Sequence, residues 1–158
     1  MTRPFLLCAL LLTACGGQQK QATTYETVDD FECHDRSVGY VMTGGFVAPE
    51  IGVTVSCSGD TVKLETWRVT DKKGTRTNAD KEMSQVEFNE LWKKIESAGW
   101  RNLEDCDNPD AANDDPVYTI DVSDDAASVS LSCQGKSLPF PYDRLVNELD
   151  LKAAGFTQ

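Results

Sequence analysis

Cysteine is the residue type whose number and spacing carry chemistry in this chain. Six are present, at positions 8, 15, 33, 57, 106 and 133. Thiols in such a set serve as disulfide halves or as metal ligands. A tetrahedral metal site draws on Cys-x-x-Cys pairs and on histidines. No Cys-x-x-Cys pair occurs and His34 is the single histidine, so neither a metal nor a cofactor is expected, and His34 reads as a surface residue beside Cys33. Nucleophilic catalysis needs a nucleophile with a base in reach. The serines fall mostly on the solvent positions of strand-like segments, and no Gly-x-Ser-x-Gly, phosphate-loop or dinucleotide pattern occurs. Paired carboxylates of the glycosidase kind need a larger cleft than short hairpins build. The chain is therefore expected not to be an enzyme. Calcium is weighed against the acidic stretch Glu104, Asp105, Asp107, Asp110, Asp114 and Asp115, and against the alternating Asp121, Ser123 and Asp125. Ala126 stands where the turn glycine of a calcium loop belongs and no glutamate closes the loop, so these read as a solvated acidic loop and a polar turn.

The compartment decides what the cysteines do, and the first residues speak to it. Arg3 precedes an eight-residue apolar run, Phe5–Leu12. That run is shorter than the roughly 20 residues a membrane span needs and has the length of a signal-peptide core. Leu12-Thr13-Ala14-Cys15 resembles a bacterial lipobox. The resemblance implies cleavage before Cys15 and lipidation of its sulfur and amine, with the acyl chains as a stable membrane anchor. An ordinary secretory signal with an incidental cysteine is the other reading. Gly16 stands where the inner-membrane retention rule of enterobacteria has Asp, so the rule implies the outer membrane of the bacterial cell envelope. The expected organisation is a cleaved signal peptide over 1–14, a lipidated cysteine with a polar tether over 15–30, and one domain over 31–158.

Composition agrees with an exported globular domain. The chain has 15 basic and 26 acidic residues, a formal net charge of −11. That excludes a nucleic-acid binder, which must neutralise phosphates, and a polybasic membrane-surface protein. A hydrophobic fraction of 40% excludes a disordered chain.

Positioning falls to elements that the pattern predicts. Val38–Phe46 and Ile51–Ser58 read as a hairpin, with Ile51, Val53, Val55 and Cys57 alternating on one face. Thr61–Thr70 resumes as strand after Ser58-Gly59-Asp60, although Trp67 and Val69 fall on its polar side. Asp71-Lys72-Lys73-Gly74 is a polar turn. Ser84–Ala98 reads as a helix: Ser84 and Glu87 have capping-box spacing, Met83 and Phe88 flank it, and Phe88, Leu91, Trp92 and Ile95 form one stripe. Trp92 is thus a core residue rather than a ligand platform. Val117–Val122 and Ser128–Cys133 form a second hairpin, and a second helix starts near Pro141 and ends at Gly155. The fold class is α+β: an antiparallel sheet of about five strands, order β-β-β-α-β-β-α, with two helices on one face. In the first hairpin Cys57 ends beside the segment holding Cys33. In the second, Cys133 ends beside the segment leading from Cys106. Of the three possible pairings this favours Cys33–Cys57 and Cys106–Cys133, each worth roughly 3.5 kcal/mol in the chain-entropy model.

Gly44-Gly45-Phe46-Val47-Ala48 in a first hairpin, a helix through Leu91 and Ile95, Pro109-Asp110, a strand through Val117-Tyr118-Thr119-Ile120 and a final apolar helix follow one another over roughly 38–152. This order resembles the emfourin-type inhibitors of thermolysin-like zinc metalloproteases. Val47-Ala48 replaces the Ala-Gly of the family's Gly-Gly-Phe-Ala-Gly-like stretch, and the disulfides and anchor are additions. The resemblance implies an inhibitory loop, Gly44, Gly45, Phe46, Val47, Ala48 and Glu50, with Phe46 or Val47 filling the protease's apolar pocket and Glu50 approaching its metal. The partner would be an envelope or secreted metalloprotease. The alternatives are that Gly44-Gly45 make a bulge with Phe46 packed locally, and that the chain is a structural or accessory lipoprotein binding another envelope protein.

Overall fold

The computed structural model describes residues 31–44, 50–69 and 74–154. The expected signal peptide, Cys15 and the tether lie outside these residues, as do 45–49, 70–73 and 155–158. The order is β1 (Ser37–Thr43), β2 (Glu50–Ser58), β3 (Thr61–Val69), β4 (Arg76–Glu82), α1 (Gln85–Ser97), a single 3-10 turn at Trp100–Asn102, β5 (Val117–Ser123), β6 (Ser128–Gln134) and α2 (Tyr142–Ala153). The strands form one antiparallel sheet in the order β4-β3-β2-β1-β5-β6. The fold is α+β. Among the described residues no helix is long and apolar enough to cross a membrane.

The sheet has six strands where the pattern predicts five. The addition is β4, Arg-Thr-Asn-Ala-Asp-Lys-Glu, with every residue exposed. Hydrophobic alternation reports a buried face. β4 buries neither face; it is held by its backbone ladder with β3, from Lys63 opposite Glu82 to Val69 opposite Arg76, and by side-chain contacts at the surface such as Asp80 with Lys63 and Arg76 with Trp67. The first strand also ends earlier than the predicted Phe46. Gly44 at φ +80° leaves the strand conformation after Thr43.

The helices cover one face. Across it, Leu64, Val55, Val38 and Val122 lie side by side on β3, β2, β1 and β5, all buried. α1 sets Phe88, Leu91, Trp92 and Ile95 into this core. Its start is fixed as the spacing predicts: the Ser84 hydroxyl accepts from the Glu87 amide at 3.2 Å, and the Glu87 carboxylate accepts from the Ser84 amide at 3.3 Å. Gly99, at φ +72°, turns the chain so that Trp100 packs on Trp92 with ring centres 6.2 Å apart. Full burial of each such side chain stabilises by about 1.5–3 kcal/mol. α2 contributes Tyr142, Leu145, Val146 and Leu149.

Both disulfides join the predicted partners, Cys33–Cys57 and Cys106–Cys133. Backbone bonds align them: Cys57 N–H donates to Arg36 at 2.8 Å, and Cys106 N–H to Ser132 at 2.9 Å. The acidic loop is organised by its own carboxylates and amides. Asp105 accepts from Ser132 N–H at 2.7 Å, Asp115 from Ala112 N–H at 2.9 Å, and the Gln134 side-chain amide donates to Ala112 at 3.0 Å. The Ala112 amide and then Lys136 hold the Asp115 carboxyl below the usual carboxylate range.

Candidate functional site

Burial fades along the helix-covered face. One residue pair beyond the Leu64 row lie Thr66, Val53, Tyr40 and Ile120; one pair further lie Arg68, Ile51, Met42 and Tyr118. On β3 this inward series runs Leu64, Thr66, Arg68, from fully buried to exposed. α2 ends there in Ala153 and Ala154, whose small side chains cover little. The result is an open groove of about 610 Å³, its floor made by Met42, Ile51, Val53 and Tyr40, its sides by Thr77 and Ala79 of β4 and by Ala153 of α2. A smaller cavity of about 330 Å³ adjoins it, sharing Tyr118 and Asp150 and adding Lys136, Asp143 and Asn147.

Tyr40 and Asp150 mark where the two spaces meet. The Tyr40 hydroxyl donates to the Asp150 carboxylate. Burial, then this hydrogen bond and the Asp150 charge, push the Tyr40 pKa far above its ordinary value. Burial and the Asp150 charge also raise that of Tyr118, whose ring lies 5.9 Å from that of Tyr40. Held neutral in this way, the Tyr40 hydroxyl is a hydrogen-bond donor to Asp150. The arrangement suits binding of a partly apolar ligand with a polar group at the Tyr118–Asp150 junction.

The other face of the sheet stiffens the same end. Trp67 lies across Gly52, where a Cβ would sit 1.9 Å from the indole, so glycine is required. The indole N–H donates to Glu50 at 2.9 Å, and the Arg76 guanidinium lies 4.4 Å from the ring centre. This explains Trp67 on the polar side of β3: the residue belongs to a small cluster on the outer face and not to the core.

Of the residues expected to form an inhibitory loop, Gly44 and Glu50 are described; Gly45, Phe46, Val47 and Ala48 lie outside the described residues. Thr43 and Glu50 are paired strand ends, so the loop springs from this open end of the sheet. The Glu50 carboxylate is engaged by Trp67 on the outer face. The groove residues themselves were not singled out in the sequence. Met42, Ile51 and Tyr118 alternate like core residues, and only the change from Leu64 to Thr66 to Arg68 signals that cover runs out.

The described chain enters at the opposite end. Phe31 packs on Phe88 with ring centres 6.4 Å apart, and Cys33 is buried beside Cys57 before β1 begins. The groove-lining Tyr40 and Met42 lie three and five residue steps along β1 from Ser37, roughly 10 and 17 Å from this entry. No family model matches the chain, and no curated protein matches it in sequence.

Proposed function

We propose that the chain is a lipid-anchored binding module of a bacterial cell envelope, attached through Cys15 and binding a partner at the open end of its sheet. The observation that carries this is the separation of the two ends: the described chain begins at Phe31 beside the Cys33–Cys57 disulfide, and the groove lies along the outer half of β1, at Tyr40 and Met42. The disulfides support an oxidising compartment, and the lipobox-like Leu12–Cys15 with Gly16 supports the outer membrane. Replacing Cys15 with serine tests the anchor: palmitate labelling should vanish and the chain should leave the membrane fraction. Persistent labelling would refute it.

The finer reading is inhibition of a thermolysin-like metalloprotease by Gly44–Glu50. One observation favours it. The loop's base is fixed, because Thr43 and Glu50 are paired and Glu50 is held by Trp67. A loop on a rigid base loses less entropy on docking. Since Glu50 is occupied, Phe46 and Val47 are the residues offered to the protease pocket. Titration of the oxidised chain against a thermolysin-like protease should abolish activity stoichiometrically, and Phe46→Ala should weaken the effect. Full protease activity at micromolar excess leaves the accessory-lipoprotein reading in its place.

A further inference from the structure

We infer that two copies of this chain pair through β4, edge to edge, to make one continuous antiparallel sheet. An unpaired edge strand is a template for another strand, and native sheets commonly cover it. The two edges of this sheet are treated differently. At β6 the outward groups of Ser132 are both used: its N–H donates to Asp105 and its carbonyl accepts from Cys106. The neighbouring Gln134 carbonyl accepts from Asn108 at 2.8 Å. Among the described residues nothing pairs with the outer edge of β4.

The register of β4 fixes which groups are offered. Met83 N–H donates to the Val62 carbonyl on β3. Residues alternate in an antiparallel strand, so Lys81, Ala79 and Thr77 also turn their backbone groups to β3. Arg76, Asn78, Asp80 and Glu82 turn theirs outward. A second β4, antiparallel and related by a twofold axis through Ala79, sets Arg76 opposite Glu82 and Asn78 opposite Asp80 of the partner copy. Every outward residue then meets an outward residue, as the ladder requires, and no like charges face one another. Charges on an edge strand ordinarily discourage pairing; in this register they are complementary. Moving the axis to Asp80 would place that carboxylate against its own copy, which is unfavourable. The axis is perpendicular to the sheet, so the helices of both copies lie on one side. The Phe31 ends of the two copies then lie at opposite ends of the joined sheet. Confinement to a membrane raises the effective concentration of such an edge contact.

Cysteine cross-linking of the full chain in its membrane tests this. At Ala79 the two Cβ atoms would lie about 4.5–5.5 Å apart, within disulfide reach. At Thr77 they would be separated by four residue steps, roughly 13 Å. Ala79→Cys should give a disulfide dimer on a non-reducing gel, and Thr77→Cys at least tenfold less. Adding Glu82→Arg to Ala79→Cys should cut the dimer about tenfold, because Arg76 then faces an arginine, and Arg76→Glu together with Glu82→Arg should restore it. Equal cross-linking at 77 and 79, no cross-linking at 79 in a folded chain, or indifference to the charge reversals would overturn the proposal. Sedimentation of the oxidised chain is the independent check: mass rising toward twice the monomer with concentration is expected, and a monomer throughout contradicts it.

Discussion

The two ends of the helix-covered face are made from the same strands and differ by a few residue steps. At the closed end Leu64, Val55 and Val38 are fully buried under α1 and α2, and the Cys33–Cys57 disulfide pins the strand ends. At the open end Arg68, Ile51 and Met42 occupy the equivalent inward positions, and α2 stops in alanines beside them. One end spends its apolar side chains on the fold. The other leaves them half covered and instead anchors its backbone from the outer face, through Trp67 lying on Gly52. The core is thus concentrated at one end of the strands, and an open apolar end is tolerable because the closed end carries it.

Substitutions can break this contrast. Phe88→Ala at the closed end should cost about 3–5 kcal/mol, whereas Met42→Ala, half exposed, should cost about 1 kcal/mol. Urea unfolding of both variants checks the difference, and equal losses would erase the distinction between the ends. Replacing Cys33 and Cys57 together with serine should cost about 3.5 kcal/mol, read in the same way. Gly52→Ala should cost about 1–3 kcal/mol by displacing Trp67. In the Trp67→Ala background the same change should be nearly neutral; a full cost there would show that the glycine serves something other than the indole.

Smaller effects should appear through pH. Burial works to raise the Asp124 carboxyl, but the amides of Ala126 and Ala127 and the charge of Arg101 outweigh it and leave the group below its usual range. Glu96, paired with Arg101 at 2.6 Å, is depressed in the same sense: burial raises it, and Arg101, Trp100 and Trp92 prevail. A carboxyl depressed in the folded state contributes stability above its unfolded pKa, about 4, and that contribution is lost as pH falls through the folded value. Thermal unfolding between pH 6 and 2 should therefore show a loss of stability that Asp124→Asn reduces. Tyr40 has the opposite dependence. Its folded pKa is raised, so its contribution is present below about pH 10 and declines above it. Tyr40→Phe should flatten the alkaline limb of the same experiment.

What the sequence makes legible follows burial. The capping box at Ser84, the stripe through Phe88 and Ile95, and both hairpins are local or periodic signals, and the structure contains them. The disulfide partners follow from the hairpins, because each hairpin returns one cysteine beside the segment holding the other. β4 is invisible to periodicity because Arg76–Glu82 bury nothing. The placement of β5 against β1 is a contact across about 80 residues that no local pattern encodes. The groove is hidden for a related reason: Met42 and Ile51 have the alternation of core residues, and their half exposure depends on where α2 ends. Trp67 is the exception, since its position on the polar side of β3 is visible in the sequence and marks the outer-face cluster with Gly52 and Arg76.

The central proposal is that the open end of the sheet is where the chain binds a partner. Photo-cross-linking amino acids placed one at a time in the full chain, in the intact envelope, test it most directly. Ile51 and Arg68 sample the groove, and Glu32 and Asp60, both exposed, sample the disulfide end. The account predicts a discrete cross-linked species from the groove positions, lost when Ala153→Trp fills the groove, and none from the disulfide end. The same species arising equally from Glu32 and Asp60, or surviving the filled groove, would contradict it.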